Sequence, residues 1–215
     1  MESTLEPENQ ISLNRLEIGP IELNRLFSES EYGKKLGSGT RFGFFKPQAT
    51  TNEEWEKILG VDVNNLKHLR LSYGLARAFT KYSENLPESW VGEIPEDARF
   101  NDEERADLEL AAIIHDWGES ITGDITYDHK SLEDSEKESE AFKEILTQVF
   151  ADRLTPELTR KIEHLLSDVI LPKEHNSKLS RAFNAIERAG YFRTAIRSWK
   201  EADKKRKIWS LRSSC

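Results

Sequence analysis

The stretch Leu110-Ala111-Ala112-Ile113-Ile114 runs without interruption into His115-Asp116, and it constrains the chain more than any other segment. A helix this apolar over its last two turns is buried on all sides, so the rest of the chain has to build a core around it. Asn101-Asp102-Glu103-Glu104 marks where that helix begins, with a capping side chain followed by acids that favour the positive end of the helix dipole. Its other end carries two ionisable side chains into the interior, and Trp117-Gly118-Glu119 and Ser120-Ile121-Thr122-Gly123-Asp124-Ile125 follow.

Adjacent imidazole and carboxylate groups on a rigid, buried support have an obvious chemical use. A first-row divalent metal accepts both donor types, and one with open coordination positions can activate a bound water near neutral pH. His115 and Asp116 are the candidate ligands. Glu119 lies three residues on; if the helical path persists for another turn it stands beside them, free to transfer protons. The plainer reading is a chance dipeptide in which His115 is a hydrogen-bonded structural residue, with Glu119 a helix-end charge and Gly123-Asp124 a turn.

The remaining chain reads as helices joined by short breaks, which predicts an all-α fold. Asn52-Glu53-Glu54-Trp55 opens a short helix with Thr51 or Asn52 as its cap. Leu66, Leu69, Tyr73, Ala76 and Phe79 or Thr80 predict a helix over about 65–82, with His68 in its first turn. Pro87, Gly92 and Pro95 make 83–101 a loop, and 126–134 is a second, polar one. Ser135 to Phe150 is predicted helical, as is the segment that starts at Thr155-Pro156. The last helix, expected over about 177–200 after Pro172, has Leu179, Phe183, Ile186, Ala189, Tyr191 and Ala195 on its buried side. Gly33, Gly37, Gly39 and Gly43 predict a loop, without the strand-turn-helix context of a phosphate-binding fingerprint. Leu13-Asn14-Arg15-Leu16 and Leu23-Asn24-Arg25-Leu26 are read as a coincidental repeat, the alternative being two short turns of helix about a break at Pro20. His129, His164 and His175 are expected to be structural or exposed.

Composition narrows the function classes. Charged residues make up 33% of the chain, hydrophobic ones 37%, and mean hydropathy is -0.67. No apolar run approaches the roughly 20 residues of a spanning helix, so no membrane partner is expected. The N-terminus has no basic segment leading into an apolar one, and Cys215 is the only cysteine, which points to a reducing cytoplasm. A net charge of -8 argues against a nucleic-acid partner, since phosphate backbones are held by surplus Lys and Arg. Free nucleotides need only a local cationic pocket. Lys204-Lys205-Arg206-Lys207 is read as a solvated cluster, with an anionic partner as the lesser alternative.

His115-Asp116-x-x-Glu119 followed by Gly123-Asp124-Ile125 resembles the HD-domain metal-dependent phosphohydrolases, and among them most closely the small 5′-deoxynucleotidases. The resemblance covers about 60–200, with the central motif its most specific part. It implies an HD-domain helical bundle around a central metal, and the chain is expected to divide into a partly irregular N-terminal extension over 1–50, the HD domain over 51–200 and a polar basic tail over 201–215. It further implies one divalent ion (Mn, Co, Fe, Ni or Zn), a nucleotide-like phosphomonoester as substrate, and a homodimer. Carried over residue by residue, the metal ligands fall on His68, His115, Asp116 and Asn184, the catalytic positions on Glu119 and Asp124, and a substrate-binding arginine on Arg41 beside Phe42 or Phe44.

At one of these positions the chain departs from the family. The family pattern has Asp, two residues, then Glu; here the segment is Asn184-Ala185-Ile186-Glu187. An amide oxygen brings no charge and is a poorer ligand than carboxylate. Three explanations stay open: a working site with a neutral fourth ligand, a module that binds without catalysing, or an introduced inactivating substitution. Glu187, one turn on, and the more remote Asp168 are substitute ligands.

Overall fold

A computed structural model of the chain describes residues 18–42, 46, 48–82, 99–123, 131–172 and 174–212, with only the backbone described at 61, 82, 152 and 202–212. The described residues are mostly helical and include no strand, so the fold is all-α. Among the described residues nine α-helices follow one another: α1 Pro20–Glu29, α2 Glu31–Ser38, α3 Asn52–Leu59, α4 Asn65–Tyr82, α5 Asp102–Ile114, α6 Glu119–Thr122, α7 Leu132–Ile145, α8 Pro156–Leu165 and α9 Lys178–Arg212. Five-residue π-turns extend α7 through Phe150 and α8 through Ile170.

Local chemistry sets most of these boundaries. Thr51, Asn101 and Ser131 each form a reciprocal capping box with an acid three residues on, and Thr155 caps α8 ahead of Pro156. The Ser131 box starts α7 at Leu132, three residues earlier than the apolar spacing predicts. Gly60 ends α3 at φ 63 and Gly123 ends α6 at φ 87, backbone conformations that glycine adopts without steric cost.

The stretch containing Gly33 and Gly37 is a helix, not the loop its glycines suggest. Ser30 caps α2 by accepting from the Gly33 amide. Gly33 is needed for a different reason: a Cβ there would lie 2.1 Å from the Phe27 carbonyl oxygen. The sharp turn from α1 into α2 depends on that absent methyl. Leu23, Phe27 and Leu36 are buried, so 20–38 packs into the core.

The bundle closes around α5. Its apolar run packs against α4, α9, α1 and α8. Trp117, just beyond α5, is fully buried, with its ring stacked on Phe27, Phe150 and Phe142 at centroid distances of 4.6, 5.1 and 5.7 Å. Gly118 follows because a Cβ there would sit 2.6 Å from Glu138 Cγ and 2.9 Å from its carbonyl oxygen. This packing fixes the end of α5, and with it the position of His115 and Asp116.

The final helix differs most from expectation. It continues past Lys200 through Arg212. Ala189 and Ala195, expected on its buried side, are exposed, and Tyr191 is 42% exposed although its ring stacks 6.2 Å from that of His68; the residues that turn inward beyond Ile186 are Glu187, Gly190 and Thr194. The inner face of α9 is apolar at its start and polar where it meets the ionisable residues of α4 and α5. Apolar periodicity therefore stops reporting its orientation at Glu187.

Candidate metal centre

His68 stands in the first turn of α4, and His115 forms the C-cap of α5. Past His115 the chain tightens into i→i+3 turns, with the amides of Trp117, Glu119 and Ser120 bonded to the carbonyls of Ile114, Asp116 and Trp117. The helical path thus continues to Glu119, as its proposed role requires. One donor atom from each of His68, His115 and Asp116 lies within 4.8 Å of the others, and these three residues can hold a metal ion.

Both imidazoles are anchored through Nδ1. His68 Nδ1 lies 2.9 Å from Asp62 Oδ1, and His115 Nδ1 lies 3.1 Å from the Ala112 carbonyl oxygen. Each of those partners is an acceptor, so each Nδ1 carries the hydrogen and each Nε2 is left for the centre. This is how metal-bound histidines are ordinarily oriented. His115 Nε2 is buried and has no hydrogen-bond partner. Asp116 Oδ1 at 3.1 Å and Glu187 Oε2 at 3.4 Å are near it, but neither contact has hydrogen-bond geometry.

Glu187 is the residue that α9 brings to the centre. Its Oε2 lies 3.1 Å from His68 Nε2, while Ser72 Oγ donates to its Oε1 at 2.8 Å. Donors held about 2.1 Å from one metal stand roughly 3.0 Å apart along an octahedral edge and roughly 3.4 Å along a tetrahedral one. The spacings of Glu187 and Asp116 from the imidazole nitrogens match those edges. Asn184 is engaged elsewhere: its Oδ1 accepts from Arg188 Nε at 3.1 Å within α9. Asp168, the remote substitute, is exposed and pairs with His164 at 3.1 Å.

Arg41 reaches the same cluster from the N-terminal side. It is 4% exposed, and its Nη1 donates to Asp62 Oδ1 at 2.6 Å, the same oxygen that faces His68. Asp62 Oδ2 accepts from Thr194 Oγ1 on α9 at 2.6 Å. One buried carboxylate thus joins Arg41, α4 and α9. The Arg41 guanidinium lies 4.7 Å from the centroid of the Phe42 ring, and Phe42 itself adopts φ 56, a conformation unusual for a bulky residue. Glu119 accepts from the Asn65 side chain in the first turn of α4. Asp124, Phe44 and His129 lie outside the described residues.

Charge follows from this packing. Burial alone would lower the His68 imidazole, but the Glu187 carboxylate, with the bond to Asp62, carries it up to about 9. His115 is likewise raised, with Asp116 and Glu187 overcoming burial. Burial would raise Glu187 and Asp62, yet the two imidazoles hold Glu187 well below the carboxylate range, and His68 and Arg41 depress Asp62. Asp62, Asp116 and Glu187 therefore crowd the two imidazoles with the Arg41 guanidinium beside them, and the imidazoles take up protons against the carboxylates. A divalent cation would supply the same charge at the same place.

Comparison with protein-family models, characterised proteins and solved structures finds no match for this chain. Of the residues named from sequence, the structure gathers His68, His115 and Asp116, sets Glu119 and Arg41 beside them, and leaves Asn184 bonded to Arg188. Asp62, Ser72, Asn65 and Thr194 were not singled out in the sequence. Each is an ordinary polar residue whose partner is distant in the chain, and no local pattern marks it.

Proposed function

We propose that the chain is a metal-dependent phosphohydrolase with an HD-type helical bundle, acting on a phosphomonoester of a nucleotide-like substrate. The observation that carries this reading is the pair of imidazoles anchored through Nδ1, one with a buried Nε2 that lacks a hydrogen bond, beside carboxylates at ligand-edge spacing. His68, His115 and Asp116 would hold a divalent ion of the Mn, Co, Fe, Ni or Zn group, with Glu187 in place of Asn184 as the fourth donor. When bound, such an ion polarises a phosphoryl oxygen and lowers the pKa of water.

The chain's own residues have distinct tasks in this reading. Asp62 fixes His68 and binds Arg41, keeping a guanidinium at the edge of the centre where a phosphate dianion would approach. Glu119, oriented by Asn65, moves a proton to or from the attacking or leaving oxygen. Asp124 is assigned substrate orientation on the resemblance alone. A panel of 5′-deoxynucleoside monophosphates, assayed with Mn2+ or Co2+ added, tests the proposal. Phosphate release that disappears in His115→Ala and Glu119→Gln is the expected result, whereas a wild-type protein that binds metal yet releases no phosphate from any member would sink it.

A second reading is a binding module without turnover. Asn184 favours it, because the residue that would carry the family's last carboxylate is an amide tied up with Arg188. Nucleotide binding at the metal-loaded centre without hydrolysis would establish that reading.

A further inference from the structure

The outer face of α9 carries the apolar residues that its inner face lacks. Phe192, Ile196 and Trp199 are 68%, 39% and 68% exposed. Their spacing of four and then three residues aligns them along one side of the helix, and the exposed Ala185 and Ala189 extend the line toward its start. Phe183, Ile186, Gly190 and Thr194 define the buried side, so this line points directly away from the core.

Charge on the same helix is opposite to that of the chain. Between Arg188 and Lys207 there are eight Lys and Arg against two acids, Glu201 and Asp203, in a protein of net charge -8. Arg188, Arg193 and Lys200 are exposed and flank the apolar line. The helical backbone then continues through Lys204-Lys205-Arg206-Lys207.

These features discriminate among possible occupants. A second copy of the chain would bring the same basic flank against this one, and like charges across a helix pair repel. A coiled-coil partner needs a seam sustained over about three or four heptads. Here the next seam positions after Trp199 are Asp203 and Arg206, which end it. A short row of Phe, Ile and Trp on a convex face, edged by Arg and Lys and followed by a basic cluster, is the pattern of a helix lying in a lipid interface. Its aromatic side chains enter the headgroup boundary while its cations meet anionic lipid.

We propose that the outer face of α9 docks the protein onto an anionic lipid surface through Phe192, Ile196 and Trp199. No described helix is long and apolar enough to cross a membrane, and surface docking requires none. The expectation of no membrane partner rests on the lack of a spanning run, and a net charge of -8 averages an acidic body with this one basic helix. The opposite face of α9 bears Glu187 and Thr194. Docking therefore sets the metal centre about one helix diameter, ~10 Å, from the headgroups. The proposal does not depend on what reaction the centre performs.

Co-sedimentation of the full chain with phosphatidylcholine vesicles, with and without phosphatidylserine, provides the test. Binding that requires phosphatidylserine and weakens with added salt is expected. The double variant Phe192→Ser, Trp199→Ser should bind roughly 10- to 100-fold more weakly, with its helical circular dichroism unchanged because both side chains are exposed. Absence of binding to either vesicle overturns the proposal, and so does vesicle binding that the double variant retains. Concentration-dependent self-association of the wild type, abolished by the same two substitutions in the absence of lipid binding, would make this face a subunit interface and overturn it as well.

Discussion

Replacing Glu187 by Gln keeps the shape of the side chain and removes its charge, which makes it the sharpest probe of how the centre is built. Glu187 Oε2 faces both imidazole nitrogens, at 3.1 and 3.4 Å, and Ser72 holds its other oxygen. Loss of a residue that merely supports a ligand typically weakens metal binding 10- to 100-fold. Glu187 touches the donors themselves, so its replacement should reach the top of that range, about 100-fold or about 2.7 kcal/mol. Asn184→Asp tests the opposite idea, in which a carboxylate at 184 supplies the fourth donor. A carboxylate at 184 would meet Arg188, which already donates to Asn184 Oδ1 at 3.1 Å. Such an i,i+4 surface pair is worth about 0.3–0.5 kcal/mol, and metal affinity should change by less than about threefold. Isothermal titration with Mn2+ or Co2+ measures both variants against wild type. A tenfold or greater gain in Asn184→Asp, together with little loss in Glu187→Gln, would refute the assignment of the fourth donor to Glu187.

Two further outcomes follow from the same electrostatics. In the metal-free protein the folded His68 titrates near 9, above its ordinary 6.5, so its contribution to stability is complete below about 6.5 and is lost as pH rises toward 9. Urea unfolding of the chelator-treated protein should show that loss, of order 3 kcal/mol, and a flat profile across this window would contradict the site's charge balance. Metal competes for the nitrogen that these protons occupy, so loading should release protons and strengthen with pH over the same range. Asp62→Asn breaks the link between Arg41, His68 and Thr194 without emptying the space; metal affinity should fall 10- to 100-fold by titration, and an unchanged affinity would reduce Asp62 to a packing residue.

The parts of this fold that were legible in the sequence are those governed by local chemistry. The capping residues Thr51, Asn101 and Thr155 and the apolar run of α5 fixed where helices begin and which one lies at the centre. His115, Asp116 and Glu119 could be read because they are near one another in the chain. The α1–α2 corner was hidden because Gly33 looks like a loop residue, when its function is to let two helices meet at a carbonyl. Asp62 was hidden because its three partners come from three different parts of the chain. Asn184 and Glu187 could be distinguished only by direction: one turn of helix separates them, and the fold aims Glu187 at the imidazoles while Asn184 turns to Arg188.

Helix α9 explains why a pattern rule failed and a chemical rule succeeded. A surface helix is expected to put its apolar stripe inward and its charges outward. Beyond Ile186 this helix does the reverse, with Glu187 and Thr194 turned toward the centre and Phe192, Ile196 and Trp199 turned to solvent. Each half of that inversion would be costly in an ordinary bundle, since one half buries a carboxylate and the other exposes aromatic rings. The inward half is offset by two imidazoles, a guanidinium and a serine hydroxyl, which make the buried carboxylates part of a charge-balanced cluster. The outward half has no such compensation within the described residues, and that asymmetry is the physical reason to look for its counterpart outside the chain.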